Sequence, residues 1–204
     1  ESFRHIRKLI KKLFSMPVDC QKLMILDTRI GFLGLIFQGS TVVHLSLGHK
    51  TRPELIEAIC GTAPGVGEQI TEQQSQPSYG SSRRLIDRVY RYTEGEVEEF
   101  FDVDLDLSGR STFSLRVIKA CRQIPYGATA TYAALAGRAG SPAAARSVGT
   151  IMAKNRFPLL VPCHRVVAAG NRLGGFSARG GTNLKHRLLA MEATACGVPL
   201  AIGT

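Results

Sequence analysis

A chain of 204 residues, 44% of them hydrophobic, can bury one good core or two small ones, and its longest apolar runs fall short of the roughly 20 residues that a membrane span needs. Five cysteines (Cys20, Cys60, Cys121, Cys163 and Cys196), an odd number without paired spacing, argue against a disulfide framework and leave at least one thiol free. The net charge of +10 is divided unevenly: residues 1–110 carry 14 Lys+Arg against 15 Asp+Glu, residues 111–204 carry 12 against one, and a polyanion such as nucleic acid is the obvious partner for the second half.

In chain order, Phe3, Ile6, Leu9, Ile10, Leu13 and Phe14 recur at helical spacing opposite Arg4, Arg7, Lys8, Lys11 and Lys12. This reads as an amphipathic helix over 3–14, packed on the protein with a solvated basic face, rather than a signal peptide or a membrane anchor. An intracellular location is expected, cytoplasmic or, in a eukaryote, nuclear. Lys22–Ile36 and Thr41–Leu47 alternate and are rich in Ile, Leu, Val and Phe around Gly31, Gly34 and Gln38–Ser40, which predicts a small antiparallel sheet. A short helix around Pro53–Cys60 follows. Residues 61–82, rich in Gly, Gln, Ser and Pro, predict a mobile loop. A helix near Arg83–Glu94 and an extended FFDVDLDL segment complete a first domain over 1–107. The boundary is expected near Leu107–Arg110, before a second domain over 108–204 that opens with a helix from about Thr112 to a point ahead of Pro125.

In that second domain Thr131 is placed to cap a short helix, Tyr132–Gly137, and Ser141–Pro142 forms an N-cap and first-turn pair for another running to about Ala153. The second helix opens on Ala143, Ala144, Ala145 and Arg146, a nearly bare surface carrying one long cation, which suits approach to a nucleic-acid groove. Two helices joined by a Gly-containing turn also occur in many proteins that never touch DNA. The apolar, strand-like run Pro158–Val167 then sets Cys163 beside His164. An imidazole that takes the thiol proton, directly or through a water, makes a nucleophilic thiolate. Neighbours in a strand point to opposite faces, so the pair needs a bridging water or a local bend. Glu192, the lone acid of the basic half, falls on the same face of a helix from about Asn183 as Leu184, Leu188 and Leu189. It is either a partly buried partner for the imidazole or a half-exposed surface glutamate. Without CxxC or HxxxH spacing, no metal site is expected.

PCHRV at Pro162–Val166 is similar to the active-site signature of the O6-alkylguanine-DNA alkyltransferase family. The resemblance extends through QIPYGATATYAALA (123–136), AAARSVG (143–149), Asn155, PCHRVV (162–167), GGFSARGG (174–181) and KHRLLAMEA (185–193). The N-terminal half resembles the family only in length and strand-helix rhythm, and helix 3–14 reads as an addition. The resemblance implies an α/β (α+β) fold: a small N-terminal α/β domain with an antiparallel sheet, then a mainly helical, winged-helix-like C-terminal domain. It implies a single-turnover transfer of the alkyl group from O6-alkylguanine in double-stranded DNA to Cys163, without cofactor or metal, by a monomer bound through the minor groove.

Under that resemblance His164 and Glu192 activate Cys163, Tyr132 donates to the flipped guanine, and Arg146 fills the vacated stack. Thr129, Ala143, Ala144, Ser147 and Arg165 join Tyr132 and Arg146 at the DNA, Asn155 holds the local architecture, and Val166, Gly174, Gly175, Phe176 and Ser177 line the base pocket. Read singly, Arg146 is equally a phosphate contact and Tyr132 a packing residue. A Cys–His hydrolase leaves the 12-to-one charge imbalance unexplained. A lesion-binding protein of the same fold, whose kind lacks the cysteine of the PCHRV block, and a plain DNA-binding module are the other readings.

Overall fold

The computed structural model describes residues 21–62, 80–200 and 202. The helix expected over 3–14, Cys20, and residues 63–79 of the expected loop lie outside the described residues.

β1 (Gln21–Thr28), β2 (Gly31–Gln38) and β3 (Thr41–His49) form the expected antiparallel sheet in the order β1-β2-β3. The chain reverses between Thr28 and Gly31, where Thr28 Oγ1 donates to Gly31 O at 2.6 Å, and again at Gly39, whose φ of +60° suits a residue without Cβ. The central strand is buried on both faces. Leu33, Leu35 and Phe37 enter the main core, whereas Ile36 joins Leu23, Val43, Leu55 and Ile59 beneath α1 (Arg52–Thr62). Gly34 admits that helix, because a Cβ there would stand 2.7 Å from Ile59 Cδ1. α2 (Gly80–Thr93) follows, so both ends of the loop expected over 61–82 are helical. The FFDVDLDL stretch is irregular except at Leu105, which bridges Val42 of β3 in parallel.

α3 (Thr112–Arg122) starts at Ser111, whose hydroxyl accepts from Ser114 N at 3.2 Å. β4 (Ala130–Thr131) pairs in parallel with β5 (Val166–Val167), and Thr131 caps α4 (Tyr132–Arg138) by accepting from Ala134 N at 3.1 Å. A 3-10 turn, Pro142–Ala144, leads into α5 (Ala145–Ala153). Ser141 gives no side-chain cap, contrary to expectation: at φ −149° and ψ 73° it is off the cap conformation, and its N–H instead closes α4 by bonding Ala136 O. α6 (Gly181–Ala195) begins two residues earlier than expected, behind Gly180 in the left-handed region.

The segment expected as a strand, Pro158–Val167, is strand only in its last two residues. Pro158 and Pro162 have no N–H for a ladder, Leu159 stands at φ +71°, and a 3-10 turn occupies Cys163–Arg165. The main core runs unbroken through both halves, joining Leu33, Leu35 and Tyr92 to Val117, Leu135, Val148, Val161 and Leu188. No helix among the described residues is long and apolar enough to cross a membrane.

The sheet also braces the stretch ahead of α6. Gly48, at φ +85°, packs against the Arg179 backbone so closely that a Cβ would overlap the Arg179 carbonyl oxygen, and Arg179 Nε meets Glu54 Oε1 at 2.6 Å. Gly39→Ala, in open space, should cost only the left-handed backbone penalty of about 1 kcal/mol. Gly48→Ala must in addition displace backbone, and chemical denaturation should show a loss at least twice as large.

Candidate active site

Asn155, one residue beyond the C-cap of α5, holds the bend that presents the thiol. Its Nδ2 donates to Val161 O at 2.8 Å and to Cys163 Sγ at 3.1 Å, while its Oδ1 accepts from Phe157 N at 3.0 Å. Cys163 is the first residue of the 3-10 turn and only 5% exposed. Burial pushes its thiol up. The Asn155 N–H, the Lys185 ammonium and the backbone N–H groups of Cys163 and His164 pull the other way by favouring thiolate. The turn also removes the strand alternation that would force Cys163 and His164 to opposite faces.

Lys185 is fully buried on α6, where Nζ donates to Val166 O at 2.6 Å and Gly175 O at 3.2 Å. It thereby ties β5 to the Gly174–Ser177 segment. Burial lowers its pKa to about 8, against the opposing effect of the sulfurs of Cys163 and Cys121.

His164 is completely buried, with Nε2 2.9 Å from Glu192 Oε1. A carboxylate only accepts, so Nε2 carries the ring proton and Nδ1 keeps its lone pair; Nδ1 has no partner among the described residues. Burial holds the imidazole below its ordinary pKa, and Glu192 partly restores it. Burial alone would raise the Glu192 carboxyl, but His164 and Arg165 outweigh that and hold it at about 2.

Arg165, expected at the DNA, is instead an internal cation. It is 2% exposed, donates to Glu192 through Nε and Nη2 (3.0–3.2 Å), to Ile124 O at 2.7 Å and to Glu99 Oε2 at 3.3 Å, and lies over the Tyr126 ring. A guanidinium so enclosed cannot reach a phosphate. The leucine face expected around Glu192 is present, but its carboxylate also has charged company that helical spacing alone does not show.

Around the thiol stand Val166, buried, and Tyr132, half-buried, whose ring edge would lie 3.2 Å from a Cβ at Gly174. Burial and then Cys163 push the Tyr132 phenol up, consistent with a ring facing the sulfur. Phe176 meets His164 edge to face at 6.5 Å, while Gly175 and Ser177 are exposed. Ala143, Arg146 and Ser147 are exposed at the start of α5, with Ala144 and Thr129 half-buried, and Arg146 has no ion-pair partner among the described residues.

Two contributors were not read from sequence. Lys185 sits at the spacing that placed Glu192, seven residues before it and three before Leu188, so the same periodicity points it inward. Tyr92 lies on the core face of α2 with Leu85 and Val89, and nothing local signals that its hydroxyl ends at Glu192 Oε1, 2.6 Å away. Among the described residues no group of three His, Cys, Asp or Glu could hold a metal ion, and Cys60, Cys121, Cys163 and Cys196 are free.

Sheet, helix pair and thiol turn together set a buried cysteine, followed by an imidazole with a carboxylate behind it, in the same core as the helix pair α4 and α5. Residues 112–194 match the family described as 6-O-methylguanine DNA methyltransferase, DNA binding domain. The chain is 40% identical over 177 residues to the methylated-DNA–protein-cysteine methyltransferase of Mycobacterium tuberculosis, covering 87% of this chain and 95% of that one. The crystal structure of M. tuberculosis OGT in complex with DNA superposes with a TM-score of 0.63 at 33% identity, covering 88% and 96% of the two chains. A DNA base-flipping protein of Thermus thermophilus is 43% identical over 110 residues, 53% of this chain and 71% of that one. The chain belongs to the methylated-DNA–protein-cysteine methyltransferase family.

Because the Glu192 carboxyl lies lower in the folded protein (about 2) than its ordinary 4.5, the stability it contributes is complete above about pH 4.5 and is lost as pH falls toward 2. Glu192→Gln leaves Arg165 without its main counter-charge and should cost on the order of 3 kcal/mol at pH 7. Denaturant titrations from pH 7 to pH 2 should show the gap between variant and wild type closing over that acidic interval.

Proposed function

We propose that this protein repairs DNA by direct reversal, with Cys163 as acceptor of the alkyl group of O6-alkylguanine. The observation that carries this reading is the 3-10 turn that seats a buried thiol among N–H donors, next to an imidazole with one free nitrogen and a carboxylate behind it, in a chain of this family.

His164 Nδ1 takes the thiol proton, through a water where the atoms do not touch, and Glu192 stabilises the imidazolium. The thiolate attacks the alkyl carbon, a C–S bond forms, the C–O6 bond breaks, and the electron pair leaves with the purine. A proton from the Tyr132 phenol to the purine N3 makes it a better leaving group. Asn155 and Lys185 keep thiol and pocket wall in place, and Val166 with the Gly174–Ser177 backbone lines the space for the base. A thioether has no ready route back to thiol, so each molecule acts once, and no step calls for a cofactor.

The target atom is inside the duplex stack, so the nucleotide must be extruded at a cost of a few kcal/mol. The exposed start of α5, alanines around Arg146, suits the narrow minor groove and leaves Arg146 free to occupy the vacated stack. One chain carries every residue the transfer uses, so a monomer suffices. Residues up to about 107 act as the supporting domain and 108–204 as the DNA-binding and catalytic one, working inside the cell, in the cytoplasm or, in a eukaryote, the nucleus.

Incubation with a duplex containing one O6-methylguanine should add a single methyl group, located on Cys163 by peptide mass spectrometry. Cys163→Ser should bind the duplex and gain nothing. Methyl on Cys121, or none at all, overturns the assignment. Arg146→Ala should slow repair of the duplex at least tenfold more than reaction with free O6-benzylguanine, which needs no extrusion. Equal losses on the two substrates would rule out the stack-filling role.

A further inference from the structure

The Tyr92 side chain is completely buried, yet its hydroxyl points at the site rather than away from it. Its oxygen lies 2.6 Å from Glu192 Oε1 and 3.2 Å from His164 Nε2. The phenol and imidazole rings meet at 66° with centroids 6.5 Å apart, so packing fixes both. The hydroxyl and the imidazole N–H therefore donate to the same carboxylate oxygen, which Arg165 also holds. Hydrogen bonds that converge on one oxygen share its negative charge, and each donor weakens the pull available to the others.

We propose that Tyr92 is a positioning residue of the alkyl-transfer site: its hydroxyl competes with His164 for Glu192 Oε1, fixing the carboxylate's orientation and limiting the charge it lends the imidazole. The proposal rests on the reading of Cys163, His164 and Glu192 given above. It brings α2, an element of the N-terminal half, into the reaction without contact with DNA or thiol.

The charged and titratable groups facing His164 are Tyr92 from α2, Arg165 from its own turn, and Lys185 and Glu192 from α6. Glu99 and Tyr126 act one step further away, through Arg165. Arg165 and Lys185 disfavour imidazolium and Glu192 favours it. Tyr92 carries no charge, so it alters this balance chiefly through the oxygen it shares, its contact with His164 Nε2 being the longer of the two at 3.2 Å against 2.6 Å. Without its hydroxyl, Glu192 Oε1 becomes a stronger acceptor toward His164, and the imidazole becomes more basic.

Tyr92→Phe keeps the ring and removes only the donor. In nitrogen-15 NMR titrations of the full chain, the His164 midpoint should rise by about one unit, the scale of one redistributed charge-assisted hydrogen bond. The acid limb of Cys163 alkylation by free O6-benzylguanine should shift the same way. Incorporating 3,5-difluorotyrosine at position 92 preserves size and sharpens the donor, so both readouts should move downward. A merely structural role would lower rate or stability in both variants without shifts of opposite sign. Unchanged His164 titration in both, with folding verified by melting, overturns the proposal. Failure of wild-type Cys163 to take an alkyl group would instead sink the functional reading, while the effect of Tyr92 on His164 would remain measurable.

Discussion

The buried carboxylate of Glu192 is the constraint around which the rest is arranged. A charge inside a protein is costly unless hydrogen bonds replace the lost water, and here Tyr92, Gly127, His164 and Arg165 supply them. Those residues come from α2, the loop ahead of β4 and the thiol turn, while Glu192 comes from α6. One ion thus fixes four stretches of chain against one another. Each of these donors would be left unsatisfied in the interior without the carboxylate, so the network ties the packing of the four stretches to one buried group.

The thiol is governed by a balance of opposing effects. Burial favours the neutral form, and the Asn155 amide, the Lys185 ammonium and the N–H groups of the 3-10 turn favour the anion without tipping it over. A cysteine kept this way resists adventitious oxidation and alkylation, since reactivity follows thiolate content and access. The imidazole next in the chain is held below its ordinary pKa by burial and keeps Nδ1 without a partner among the described residues.

The same carboxylate explains the surface. Residues 111–204 contain one acid, and it is internal, so every exposed ionised side chain described in that half is cationic. Lys185 and Arg165 are withdrawn for internal duty, leaving cations such as Arg146 on α5 free of competing acids from their own half. The acids are concentrated in the first half, where they pair with Arg88 and Arg91 and, across the halves, with Arg156, Arg165 and Arg179. The uneven division of charge along the sequence therefore persists in the folded molecule.

Local chemistry was legible in the sequence. Alternation around Gly31 and Gly39 gave away the sheet, Thr131 announced the cap of α4, and helical spacing put Glu192 on an inward face. These depend on neighbours within a few residues, which is the range over which backbone preference and periodicity act. Tertiary structure decided the rest. Two prolines and the left-handed Leu159 turned an apolar run into the bend that presents Cys163. Arg165, a cation in a basic half, reads as a DNA contact until its position opposite Glu192 and Glu99 is known. Tyr92 reads as one more core aromatic, because its hydroxyl acquires a partner only when residues 100 positions apart are brought within a hydrogen bond of each other. A sequence determines which side chains can ionise and donate; only the fold determines which of them share an oxygen.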